Sequence, residues 1–153
     1  MWGLLINLTL VALVLFVGGC SGRQDACLEL SGSSSKEVLA SLPVEPGVLI
    51  SLEFINSIYL APVRETLVYE PKEGVSVIMV ESPSAGVFEY YGLEPDGTGK
   101  ATLRRRIGDI RILSHDYTNH RLTVNGTTVE LKGLVPDGEP ITVKIRQDAD
   151  CRR

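Results

Sequence analysis

The chain reads as an all-β protein, an antiparallel β-sandwich standing behind an N-terminal hydrophobic leader. Three observations carry that reading. Turn-forming clusters recur every 8 to 15 residues beyond Ser35, apolar residues between them alternate with polar ones, and no stretch of the body shows a helical stripe of useful length. The 153 residues include 15 basic and 19 acidic side chains, yet none of these falls in the first 22 positions. An uncharged leader therefore precedes an ordinary globular body, long enough for one core and too short for two. The net charge of -4 lies wholly in the body and argues against a dedicated nucleic-acid binder, whose affinity rests on neutralising phosphates.

From Trp2 to Val17 the only polar side chains are Asn7 and Thr9, and the run closes on Gly18, Gly19 and Cys20. A spanning helix needs about 20 apolar residues, so residues 1–20 suit an uncleaved membrane anchor. Small residues after an apolar run also suit a secretory signal. The tetrad Val17-Gly18-Gly19-Cys20 resembles the lipobox of prokaryotic lipoproteins, which implies lipid on Cys20 and removal of the residues before it. No Lys or Arg precedes the run, where a signal normally carries a basic segment. Each outcome places the body on the extracytoplasmic face of a cell membrane, joined through a tether over residues 21–25. With Cys20 taken by lipid, Cys27 and Cys151 remain as a pair near the two ends of the body, and that compartment permits a disulfide. Two unpaired thiols are the alternative. Neither cysteine belongs to a close Cys pair of the kind that holds structural zinc.

The body is one domain over residues 26–150. Ala26 to Leu30 opens it, and Gly32 to Ser35 forms a flexible break before the next apolar segment. Turns are expected at Glu45-Pro46-Gly47, Pro71 to Gly74, Ser82 to Gly86, Pro95 to Gly99, Asn125-Gly126 and Pro136 to Pro140. The clearest hairpin has Leu122 and Val124 before Asn125-Gly126 and Val129 and Leu131 after it, because Asn-Gly tolerates the two positive φ angles of a type I′ turn. The last strand alternates Ile141, Val143 and Ile145 against Thr142, Lys144 and Arg146. Helices should be short or absent.

The central hairpin is the most informative. Between Val48 and Leu60 the even positions are apolar except Asn56, and in the next strand Val63, Glu65, Leu67 and Tyr69 are interrupted only by Glu65. A turn around Tyr59 to Pro62 pairs Ile58 with Val63, Asn56 with Glu65, Phe54 with Leu67 and Leu52 with Tyr69. Unpartnered, a buried amide or carboxylate costs about 1–3 kcal/mol or more. The two interruptions, with Ser57 beside them, are therefore expected to form a hydrogen-bonded pair or a polar pocket.

Glu53-Phe54-Ile55-Asn56-Ser57-Ile58, then Pro62-Val63-Arg64-Glu65, with Pro136-Asp137-Gly138 leading into Ile141-Thr142-Val143, resembles the domain of unknown function 1850 family. Its members are small extracytoplasmic proteins often encoded beside TRAP-type solute permeases of the TAXI subfamily. In that family the strand usually carries His-Ser-Val and is followed by Pro-Val-x-Glu. Here Asn56 stands in place of the histidine, while Ser57, Pro62, Val63 and Glu65 match. The resemblance implies a role near a transporter and no known reaction.

Other constellations are weaker. His115-Asp116 and His120 could supply metal ligands from a loop, but they fit no close-spaced ligand pattern and read as a solvated loop. Strand alternation sends Arg104 and Arg106 to one face and Arg105 to the other with Leu103 and Ile107. This basic run suits an exposed edge that discourages sheet-to-sheet pairing, with anionic lipid headgroups as the alternative contact. Gly97-Thr98-Gly99-Lys100-Ala101 lacks the spacing, the hydroxyl and the βαβ setting of a phosphate loop and reads as a turn. Asn125-Gly126-Thr127 satisfies a glycosylation sequon within a tight turn. No serine is flanked as a nucleophile elbow.

The expected function is a membrane-tethered extracytoplasmic accessory or binding module, not an enzyme, with no cofactor and no metal. The partner implied by the resemblance is a transporter permease or its binding protein. A structural envelope protein without ligand is the second reading, and a small hydrolase using Glu65 with a histidine is the third. A pocket at Asn56, Ser57 and Glu65 favours binding; a filled, dry face favours the structural role.

Overall fold

Period-two alternation turns most of the body into strands, because each strand can then bury one face and wet the other. The computed structural model describes residues 26–34, 36–147 and 151. The lipobox Val17 to Cys20 and the tether over residues 21–25 lie outside the described residues. Along the chain come β1 (Ala26–Gly32), β2 (Val38–Val44), β3 (Leu49–Asn56), β4 (Ala61–Glu70), β5 (Gly74–Glu81), α1 (Ala85–Tyr91), β6 (Lys100–Ile107), β7 (Ile110–Ile112), β8 (Arg121–Val124), β9 (Thr127–Glu130) and β10 (Ile141–Gln147). They pair into two antiparallel sheets, one ordered β2-β1-β10-β7 and the other β6-β5-β4-β3-β8-β9. The inner faces supply one core, with Leu28, Leu30, Ile141 and Val143 from the first sheet and Ile50, Leu67, Tyr69, Val80 and Leu122 from the second. This is the all-β sandwich expected from the sequence.

Several local expectations hold. Asn125 and Gly126 adopt φ angles of 50° and 77° and join β8 to β9, pairing Val124 with Thr127 and Leu122 with Val129. Gly97 to Gly99 is a turn, held by the Asp96 carboxylate accepting the Thr98 and Lys100 amide N–H groups at 2.8 and 3.1 Å. The arginine run lies on β6, an outer strand of its sheet, with Arg105 opposite Val77 and Ile107 opposite Val75. The turn expected at Ser82 to Gly86 opens instead into α1, two turns long. That helix buries Val87 and Phe88 and stops at Gly92, whose φ of 68° lets its amide and that of Leu93 bond back to Glu89 and Phe88 carbonyls.

Cys27 and Cys151 are joined in a disulfide, with Cα atoms 5.6 Å apart. Cys27 alternates with the inward Ala26 and Leu28, so its sulfur lies on the outer side of β1. It is nevertheless completely buried, because the returning C-terminal residue covers it. The bridge closes the domain at the end where Ala26 pairs with Gln147.

The pairing expected in the central hairpin is corrected by the structure. β3 and β4 pair Asn56 with Ala61, Phe54 with Val63, Leu52 with Glu65 and Ile50 with Leu67. Asn56 and Glu65 are not neighbours, and the reversal occupies residues 57–60, ahead of Ala61 and Pro62. The cause is the Asn56 side chain, whose Oδ1 accepts the Ile58 and Tyr59 amide N–H groups at 3.0 Å each and so starts the turn early. Leu60 completes the reversal at a φ of 51°. The shift is an even number of residues, so the side chains within β3 and β4 keep their expected faces although their partners change, while Ile58 and Leu60, expected inside, are carried out into the turn.

That register lines up a feature the sequence reading missed. Across the outer face of the six-stranded sheet, Glu130, Arg121, Glu53, Arg64, Glu81 and Lys100 stand side by side, one on each strand in spatial order, with alternating charge. Ion pairs join Arg121 to Glu130 at 2.9 Å, Arg64 to Glu53 at 2.9 Å and Lys100 to Glu81 at 2.8 Å. Each exposed pair is worth about 0–1 kcal/mol. Their value is in specificity, since a strand slipped by two residues loses them, setting Glu53 for example opposite Pro62 or Thr66 instead of Arg64.

Reducing the Cys27–Cys151 bridge is expected to lower the unfolding free energy by up to about 5 kcal/mol, the entropy of closing a loop of this size. Denaturant curves with and without reductant check this, and superimposed curves contradict it.

Candidate functional site

Polar groups on an apolar inner face are the places where chemistry or a structural bond must be found. Three such side chains come from the six-stranded sheet and its approach: Asn56 at the end of β3, Glu65 in the middle of β4 and His120 just before β8. The structure gives each a separate surrounding. Asn56 is buried and occupied by the two turn amides, and Ser57 is exposed within that turn. Asn56 and Glu65 are thus held apart, each with its own partners.

Glu65 projects inward beneath α1 and accepts a hydrogen bond from the Tyr91 hydroxyl at 2.5 Å. Burial pushes its carboxyl above the ordinary range, while the Tyr91 hydroxyl and the Arg105 guanidinium work in the opposite direction. The Tyr91 phenol is pushed up as well, first by burial and then by the carboxylate beside it. Arg105 reaches from β6 to the Tyr91 carbonyl at 3.4 Å. These three groups tie α1 to β4 and β6. Helical spacing could have hinted at Tyr91, which follows the buried Val87 by four residues, but two turns are too few to show a stripe.

His120 is buried rather than solvated, which corrects the loop expectation for this residue. Its ring stacks on Phe54 with centroids 6.0 Å apart and meets the edge of Tyr117 at 5.3 Å. Burial holds its pKa below the ordinary imidazole value, with the Asp116 carboxylate opposing. Tyr117 pins the same corner: its hydroxyl lies 2.7 Å from the Glu139 carbonyl and 3.1 Å from that of Ile112, and receives the Ser114 N–H at 3.3 Å. Asp116 caps its own loop by accepting the Thr118 N–H at 2.8 Å, and it pairs with Lys132. Among the described residues, no His, Cys, Asp and Glu group is arranged to hold a metal ion.

On the outer face a shallow hollow of about 330 Å³ runs over Glu53, Ile55, Pro62, Arg64, Glu81 and Arg121. Its charges are already paired in the alternating row. Set against family models, curated proteins and solved structures, the chain finds no match. The residues therefore have to be read on their own geometry. That geometry spends Asn56 on a turn, Glu65 on a helix and His120 on a loop corner.

Two measurements follow. Asn56→Ala should cost about 1–3 kcal/mol, because it leaves turn amides without their acceptor. Combined with Glu65→Ala the losses should add within about 0.5 kcal/mol, whereas Glu65→Ala and Tyr91→Phe should not add. Urea denaturation of the single and double variants reads both cycles. The pH dependence separates the two titrating groups. Glu65, raised above 4.5, stabilises fully below that pH and loses its contribution as pH rises through its folded-state value. His120, lowered from 6.5, stabilises fully above that pH and loses its contribution as pH falls through its folded-state value. Glu65→Gln should remove the first slope and His120→Gln the second; a wild-type slope surviving its matching variant contradicts the assignment.

Proposed function

We propose that this chain is a membrane-tethered extracytoplasmic accessory module that works by contact with a protein partner, a TRAP-type solute permease or its binding protein. The carrying observation is the Cys27–Cys151 disulfide. Such bridges persist in oxidising compartments. This one uses two of the three cysteines and leaves Cys20, at the end of the uncharged run, for lipid. Contact rather than solute capture is supported by the separation of Asn56 and Glu65, each committed to an internal bond. The transporter neighbourhood is supported by the resemblance of the Glu53 to Glu65 segment and of Pro136-Asp137-Gly138. The same committed inner face favours, as a second reading, a structural envelope protein without ligand.

Intact mass of membrane-extracted protein tests the tether, the expected species lacking Met1 to Gly19 and carrying lipid on Cys20. An unlipidated chain retaining those residues contradicts the lipoprotein reading. With the neighbouring permease gene expressed alongside, the two proteins should co-purify in mild detergent. A permease that never co-purifies leaves the structural reading in place.

A further inference from the structure

The alternating row on the outer face of the six-stranded sheet has a symmetry that the fold itself does not require. In spatial order its charges are Glu130, Arg121, Glu53, Arg64, Glu81 and Lys100, beginning on a carboxylate and ending on an ammonium. Reversing the order turns every sign into its opposite. A second copy, turned by a two-fold axis running along the strands between β3 and β4, therefore sets Glu53 against Arg64, Arg121 against Glu81 and Glu130 against Lys100. Every contact is attractive. A two-fold axis running across the strands sets each residue against itself, and every contact is repulsive. The charges thus select one arrangement of a self-complementary pair and reject the other.

The neighbouring rows fit the same axis, which passes through the middle of the sheet order β6-β5-β4-β3-β8-β9. Register places Leu49 beside Val68, Ser51 beside Thr66 and Ile55 beside Pro62, so the rotation lays each of these on its own cross-strand neighbour in the other copy. Leu49 is 56% exposed and Ile55 36%, aliphatic side chains left in water on a central strand. The axis covers Leu49 with Val68 and Ile55 with Pro62. Beside the charges runs an uncharged row of Thr128, Thr123, Ser51, Thr66, Met79 and Thr102, which brings no like charges together. Ser51, Thr66 and Thr123 floor a hollow of about 530 Å³, room for long side chains reaching across from the other copy.

The size of the face is sufficient. β3, β4, β5 and β6 have eight to ten residues and β8 and β9 four each, so at ~4.8 Å per strand and ~3.3 Å per residue the face covers about 650 Å² in projection. Each side of a specific complex buries about 600–1,000 Å². Nearly the whole face is needed to reach that range, so its occupant has to match the charges from end to end. An ion pair that loses its water is costly unless further opposite charges replace it, and the turned copy supplies one at every position of the row. Sheets stacked face to face keep their strands within about 30° of each other, which an axis along the strands satisfies.

We propose that this face is a homodimer interface, two copies packing outer sheet on outer sheet about a two-fold axis that runs along the strands between β3 and β4. The inference goes beyond the proposed function and needs neither the tether nor the transporter. Sedimentation velocity of the full-length chain in mild detergent tests it, at about 50 μM, well above a micromolar dissociation constant. At low ionic strength the wild type should be a dimer, and at about 1 M sodium chloride, where the Debye length is only ~3 Å, a monomer. Glu53→Arg alone sets arginine against Arg64 across the axis, and Arg64→Glu alone sets glutamate against Glu53. Each variant should therefore run as a monomer at low salt while keeping the circular dichroism of the wild type. Mixed one to one they should dimerise again, because positions 53 and 64 then carry opposite charges across the axis at both contacts. A wild type that is monomeric at low salt, or a dimer unmoved by salt, overturns the proposal. So do folded variants that stay dimeric, as association through the leader would leave them, or that fail to recover a dimer on mixing. Should either variant unfold, the wild-type salt response decides alone.

Discussion

Two hydrogen bonds from backbone amides to the Asn56 carboxamide decide where the chain reverses between β3 and β4, and the six-stranded sheet depends on that reversal. Starting the turn at residue 57 brings Ala61 opposite Asn56 and Leu52 opposite Glu65. From there the outer face falls into its alternating row of charges, and the inner face places Glu65 beneath α1, within reach of Tyr91. A later turn would have put Glu65 beside Asn56 and left the helix without its polar anchor. One buried asparagine therefore sets both the registry of the sheet and the geometry of its exposed tip.

The second constraint is closure. A sandwich whose strands come from across the whole chain pays a large entropy of ordering before its core forms, and the Cys27–Cys151 bridge removes part of that cost by joining the domain's ends. It also gives the molecule two unlike poles. One holds Ala26 paired with Gln147, with Cys151 covering Cys27 against β1. The other carries the uncharged tip over residues 57–60, a strand length away.

Much of this was legible in the residues. The alternation of Ile141, Val143 and Ile145 and the Asn125-Gly126 turn chemistry led to strands and a hairpin that the structure contains. Cysteine arithmetic led to the bridge. The inward positions of β3 and β4 were legible too, because a period of two assigns faces without fixing partners. Registry was not, since it rests on whether Asn56 bonds to Glu65 or to its own turn, and both satisfy a buried amide equally well. α1 escaped notice because two turns show no periodicity. Tyr91 and the buried setting of His120 escaped because both depend on contacts distant in sequence. The apolar tip was hidden in plain view: Ile58 and Leu60 continue the even-numbered apolar run of β3 and look like core until the turn carries them outside.

The turn set by Asn56 is the claim on which the rest stands, and cross-strand proton contacts test it directly. Nuclear Overhauser spectra of the isotopically labelled full chain should connect the backbone of Phe54 with Val63 and of Leu52 with Glu65. Contacts of Phe54 with Leu67 and of Asn56 with Glu65 would contradict it, returning both polar residues to a shared site and dissolving the exposed tip.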